Sequence, residues 1–167
     1  MPTLINQGQV VENSWQKVEM DAGLDSVEGS ETGEKIIVPL AMWLAEKDAL
    51  AGIGKTIGVW LDSEDDPYRL SDDIQSLPLI ALNFPSFRDG RAFSSAAILR
   101  ERLGYTGELR AIGEVLRDQL FYMQKCGFDS YELAEGVAVE DALAAFNDFH
   151  TSYASTVTET TPLFRRR

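Results

Sequence analysis

The chain has 167 residues, 44% of them hydrophobic and 25% charged, a balance that fits one globular domain and excludes a disordered or fibrous protein. A formal charge of −12 argues against nucleic acid, because binding phosphates needs a basic face. One cysteine (Cys126) and one histidine (His150) exclude an internal disulfide, an iron–sulfur cluster and a Cys- or His-based zinc site built by one chain.

No apolar run reaches the roughly 18–20 residues needed to span a bilayer, and the N-terminus lacks a basic region followed by an apolar one. The expected setting is therefore cytoplasmic, without membrane association. Charge is distributed unevenly. Residues 1–78 hold 15 acids and 5 bases, whereas 79–167 hold 12 acids and 10 bases, so the first part carries −10 and the second −2. The acidic part suits solubility or the steering of a basic partner protein.

In chain order, Thr3-Leu4-Ile5 and Val10-Val11 around Asn6-Gln7-Gly8-Gln9 predict a β-hairpin. Residues 19–35 are acidic, Gly-containing and poor in apolar side chains, which predicts a mobile loop. These observations set an N-terminal region of 1–34, a single α/β domain over 35–155 and a tail over 156–167.

Ile36-Ile37-Val38 reads as a buried strand, and Pro39 stands where a helix over Leu40, Trp43, Leu44 and Leu50 would begin. Residues 56–62 predict a second strand, a short helix is expected around residues 70–74, and Leu79–Phe84 gives the clearest strand. Phe93, Ala96, Ala97, Arg100 and Leu103 follow helical spacing toward a capping Gly104. A strand at 108–112, a helix carrying Val115, Leu116, Leu120 and Met123, a strand at 128–133 and a last helix over 139–149 complete the pattern.

Strands alternating with helices predict a mainly parallel sheet with right-handed crossovers. Two architectures fit: an open sheet with helices on both faces, or a curved run of βα units like half of a TIM barrel. Short connections in the second half favour the curved form. A half-barrel leaves strand edges open, so a homodimer is an expected state.

Both architectures present ligand-binding groups beyond the C-terminal ends of the strands. That rule selects Asp62, Asn83, the loop 85–91, Gly113-Glu114 and Glu132. In the loop, Arg88 and Arg91 flank the Asp89-Gly90 turn just before a helix. Guanidinium forks beside a helix start suit carboxylate, sulfate or phosphate. The expected anion-binding set is Arg88, Asp89, Gly90, Arg91 and Arg110, supported by Asn83, Arg117, Asp118, Gln119 and Glu132. The same arginines and aspartates can instead pair with one another, with Arg117 and Asp118 as partners.

Other groups read as structural. Cys126 ends a helix, where the dipole disfavours a thiolate. His150 has no second ligand near it, and residues 62–66 lack the spacing of an EF-hand loop. Gly52-Ile53-Gly54-Lys55-Thr56 fails the P-loop spacing, and neither a dinucleotide fingerprint nor a nucleophile elbow is present. The cofactor is therefore unassigned, with no covalent group, iron–sulfur cluster or zinc expected.

The runs 83–94, 99–105, 107–113, 115–121 and Cys126-Gly127-Phe128 resemble a bacterial family, domain of unknown function 934, across most of residues 35–167 including the Phe164-Arg165 tail. Its most recognisable positions fall here on Phe84, Pro85, Asp89, Gly90, Arg91, Arg110, Arg117, Asp118, Gln119 and Cys126. Family members are often labelled oxidoreductases and are encoded beside assimilatory sulfite reductase. The resemblance thus implies a role in sulfite reduction and cysteine supply, with sulfite reductase or another sulfate-assimilation enzyme as partner. It implies no catalytic residue. The alternatives are a cofactor-dependent oxidoreductase acting at the strand ends and a purely structural interaction module.

Overall fold

In a computed structural model the chain is described over residues 3–28, 34–86 and 88–148. Phe149, His150 and the Leu163–Arg167 tail lie outside these residues.

The hairpin forms from β1 (Leu4–Asn6) and β2 (Gln9–Val11). Its two-residue turn has positive φ at both Gln7 (52°) and Gly8 (80°), the geometry whose twist matches that of the flanking strands. A two-residue strand β3 (Gln16–Lys17) follows, then a helical turn α1 (Leu24–Glu28) that buries Val27 within the acidic stretch. The repeating part begins at β4 (Lys35–Pro39), with Pro39 both ending the strand and preceding α2 (Leu40–Ala45). The helix expected over 40–50 is two short ones, α2 and α3 (Lys47–Gly52), because the chain bends at Glu46.

Next come β5 (Thr56–Leu61), 3₁₀ turns at Pro67–Leu70 and Ile74–Ser76, β6 (Leu79–Phe84) and α4 (Arg91–Ala97). A π turn over Ile98–Arg102 extends α4. The last units are β7 (Glu108–Gly113), α5 (Arg117–Cys126), β8 (Ser130–Glu132) and α6 (Val139–Asp148). Gly127, at φ 108°, closes α5 in the left-handed conformation that glycine adopts without a Cβ clash.

All eight strands join one sheet in the order β2-β1-β8-β7-β6-β5-β4-β3. From β3 through β8 the pairing is parallel, and β1 adds antiparallel to both β8 and β2. The strands from β4 to β8 lie in chain order without reversal, so successive right-handed crossovers put their helices on one side. Alternate strand residues show it. Ile36, Val38, Val59, Leu61, Ile80, Leu82, Phe84, Leu109, Ala111 and Tyr131 pack with Leu50, Ala96, Leu120 and Ala145 from the helices. Their neighbours Ile37, Trp60, Leu79, Ala81 and Ile112 form a smaller cluster on the other face, covered by Trp15 and by no helix. Helices on one face only are the mark of a curled half-barrel rather than an open doubly wound sheet.

The curl is also required by reach. From Val11 to Gln16 the chain can extend at most about 18 Å, yet these residues belong to opposite edges of the sheet. Seven strand spacings laid flat come to about 34 Å. The edges must therefore approach each other, and the segment between β2 and β3 crosses the inside of the curve. No helix among the described residues is long and apolar enough to cross a membrane.

Candidate functional site

The C-terminal ends of β5, β6 and β7 are bound together by polar side chains. Asp62, directly after β5, accepts the Asn83 Nδ2 amide at 3.0 Å and the Ser63 backbone N–H at 2.8 Å on the same Oδ1. The Asp62 N–H donates to Asp65 at 2.8 Å, which folds the acidic loop back on itself. Gly113 ends β7 at φ 89°, and a Cβ there would collide with Asn83 Oδ1 and the Phe84 carbonyl. The Glu114 N–H donates to that same carbonyl at 2.7 Å. A side chain is excluded at residue 113 because the end of β6 lies directly against it.

Above this layer sits the loop 85–91. Arg91 grips Asp89 with two parallel bonds, Nε to Oδ1 at 3.0 Å and Nη2 to Oδ2 at 2.7 Å, and its own backbone N–H adds a third at 3.0 Å. Its hydrogen bonds to Arg91 hold the Asp89 carboxyl well below the usual carboxylate range, while the guanidinium is pushed upward by the same contact. Ser63 beside it adds a smaller lowering influence on Asp89. Glu64 approaches Arg91 Nη1 at 4.0 Å. Arg91 is therefore exposed at the rim but already engaged by a carboxylate. Arg88 is exposed beside it, its backbone N–H on Ser86 Oγ at 3.2 Å, and Gly90 leads into α4.

Arg110 stands apart from this group. Arg110 points into the inside of the curve and is only 2% exposed. It bonds Glu108 Oε2 at 2.9 Å, Ser130 Oγ at 3.3 Å and Asn13 Oδ1 at 3.1 Å. β-strand alternation explains the separation, since Arg110 and Ile112 share the helix-free face well below the strand end. Arg117 and Asp118 begin α5, where Arg117 Nε reaches the Asp141 carbonyl at 3.2 Å and Nη1 lies 3.8 Å from Asp118. Gln119 is half-buried on the same helix, and Glu132 ends β8 opposite Leu4 of β1.

One arginine that spacing placed on an apolar helical stripe has a polar task. Arg100, on the π turn, donates to the carbonyls of Tyr105 (2.8 Å), Gly107 (2.9 Å) and Gly127 (2.9 and 3.0 Å) and to Asp129 (2.7 Å). Asp129 also accepts the Leu109 N–H at 3.1 Å. This cluster ties the loops before β7 and β8 together at the N-terminal ends of the strands, the end that confers stability in βα barrels. An arginine at an apolar position of a periodic stripe is the signal that could have located it. Cys126 is half-buried and burial pushes its thiol up, away from nucleophilic reactivity. Among the described residues, no three or more His, Cys, Asp or Glu side chains come together as metal ligands.

The sequence profile of bacterial proteins of unknown function, DUF934, matches residues 58–164. The chain belongs to that family. The matched span of DUF934 sequence starts within β5 and so contains the Asp62–Asn83–Gly113 junction, the Asp89–Arg91 fork and the Arg100 cluster. No curated protein and no solved structure matches the chain.

Proposed function

We propose that this DUF934 protein is an accessory of assimilatory sulfite reduction that docks on sulfite reductase, or on another enzyme of sulfate assimilation, through its C-terminal rim. The setting comes from the family resemblance. The observation that carries the docking is the charge of the rim: Asp89 holds Arg91, Glu64 and Asp62 lie close to the same guanidinium, and Asp65, Asp66, Glu114 and Glu135 stand in the loops that follow β5, β7 and β8 at this end of the sheet. Such a surface attracts a basic protein face and raises encounter rates at low salt. A sulfite or sulfate ion at the 85–91 loop belongs to this reading as a secondary contact beside the exposed Arg91 side chain.

The test adds purified protein to sulfite reductase at increasing salt. Capture and a change in reductase activity at low salt, both weakened by Glu64→Lys with Asp65→Lys, are expected. No capture and no effect on activity at any salt overturns the reading.

A second reading, a cofactor-dependent oxidoreductase acting at the strand ends, has one observation in its favour. Asp62 and Asn83 from neighbouring strands meet at 3.0 Å at the mouth of the curve, where βα barrels place reacting groups. Titration with a reduced nicotinamide or a free flavin, read through tryptophan fluorescence, distinguishes it. Saturable quenching lost in Asp62→Asn supports an enzyme, and unchanged fluorescence removes it.

A further inference from the structure

We infer that residues 12–18 are a releasable strap, latched by Asn13 on Arg110, that acts as a lid over the helix-free inner face of the half-barrel. The segment crosses from one sheet edge to the other. Asn13 stands over β7 through its bond to Arg110, Trp15 stands over β5 against Gly58 and Leu79, and Lys17 and Val18 reach β4. A Cβ on Gly58 would lie 3.2 Å from the Trp15 ring, so the glycine lets the indole approach the strand closely.

Few bonds hold the strap. β3 has only two residues, and beyond them the Val18 N–H reaches Ile37 at 2.8 Å and the Val18 carbonyl accepts Trp60 Nε1 at 2.8 Å. Lys17 rests over the Trp60 ring at 4.4 Å. Glu12, Ser14, Gln16 and Lys17 are all exposed.

The layer underneath does not depend on the strap for its charge balance. Arg110 keeps Glu108 and Ser130, and Ser130 Oγ donates to Glu108 at 2.8 Å, so departure of Asn13 leaves no unpaired buried ion. Asn13 Oδ1 accepts both Arg110 Nη1 and the Trp15 N–H, coupling the latch to the turn that aims the indole. Release uncovers Ile37, Trp60, Ala81 and Ile112 around that neutralised guanidinium, a surface that the helices do not cover. Local opening of a segment with few buried contacts is a low-energy event beside global unfolding.

Hydrogen exchange on the full chain tests the device. Expected protection factors for the amides of residues 15–18 are at least ten-fold lower than for residues 59–61 and 80–82. Asn13→Ala should lower the strap's protection several-fold further and leave β5 and β6 unchanged. Equal protection of strap and central strands in the unmodified protein overturns the inference, because the segment then opens only with the whole fold. A uniform loss of protection in Asn13→Ala overturns the latch, and if that variant does not fold the comparison within the unmodified protein still decides.

Discussion

Asp89 and Arg91 face each other across Gly90 in a two-point fork, 3.0 and 2.7 Å, with the Arg91 backbone N–H closing a third bond on the same carboxylate. The pair defines the shape of the 85–91 loop and leaves Asp89 ionised far into acid. Its folded pKa is lowered, so the stabilisation it gives is present above the ordinary carboxylate value and is lost as pH falls toward the folded one. Asp89→Asn should therefore melt below the unmodified protein at pH 6, with the gap closing below pH 4. Melting temperature against pH checks this. A gap that widens in acid contradicts the assignment.

Bound sulfate should raise the melting temperature if the exposed arginines take up an oxyanion. The rise is expected to shrink in Arg91→Ala and to grow in Glu64→Gln, which removes a neighbouring negative charge. A rise identical in all three proteins places sulfate elsewhere.

Gly113 and Gly104 share a positive φ, 89° and 68°, but differ in surroundings. Nothing lies within 4 Å of a Cβ on Gly104, whereas one on Gly113 meets Asn83 and the Phe84 backbone. Gly104→Ala should cost about 1 kcal/mol, the backbone penalty alone. Gly113→Ala should cost roughly 2–4 kcal/mol, because steric overlap with a main chain that cannot move is added. Urea denaturation of the two variants separates these contributions.

Arg110 and Glu108 form a pair whose arginine is 2% exposed at the side chain. Arg110→Ala strands the carboxylate and should destabilise by about 3–5 kcal/mol. Arg110→Met with Glu108→Leu removes both charges and is expected to recover most of that loss. Equal damage by the single and double replacements would show that the pair contributes attraction beyond its desolvation cost.

Two buried phenols set an alkaline limit. Burial raises the pKa of Tyr105 and Tyr131 above the ordinary tyrosine value, and their hydroxyls donate to the Leu77 and Phe128 carbonyls at 2.9 and 2.8 Å. Stability from these groups is complete below the unfolded phenol pKa and is lost as pH rises above it. Absorbance at ~295 nm should show both tyrosines ionising only with unfolding, and Tyr131→Phe should flatten the alkaline fall in stability.

The amino-acid sequence by itself determined the α/β alternation, the hairpin, the strand cores and the strand-end positions from which a site can be built. Apolar periodicity, glycine caps and the rule that crossovers are right-handed are local or nearly local, so they are legible without coordinates. The family was legible too, through runs such as 83–94 whose loop chemistry is unusual. Short connections favoured a half-barrel over an open sheet, but periodicity could not separate them, because it reports that a face is apolar and not which side of the sheet it covers.

Only the tertiary structure decided which polar groups meet. Arg91 and Arg110 were read together as one anion-binding set, yet the loop into α4 carries one to the rim and the pleat of β7 turns the other beneath Asn13, 97 residues away in sequence. Arg100 stood out as an arginine on an apolar stripe, but nothing local showed which two loops it joins. The crossing of residues 12–18 was equally hidden, since it follows from the two edges of a curled sheet approaching each other. Contacts of that kind are fixed by chain reach and sheet curvature, quantities that no local pattern of residues records.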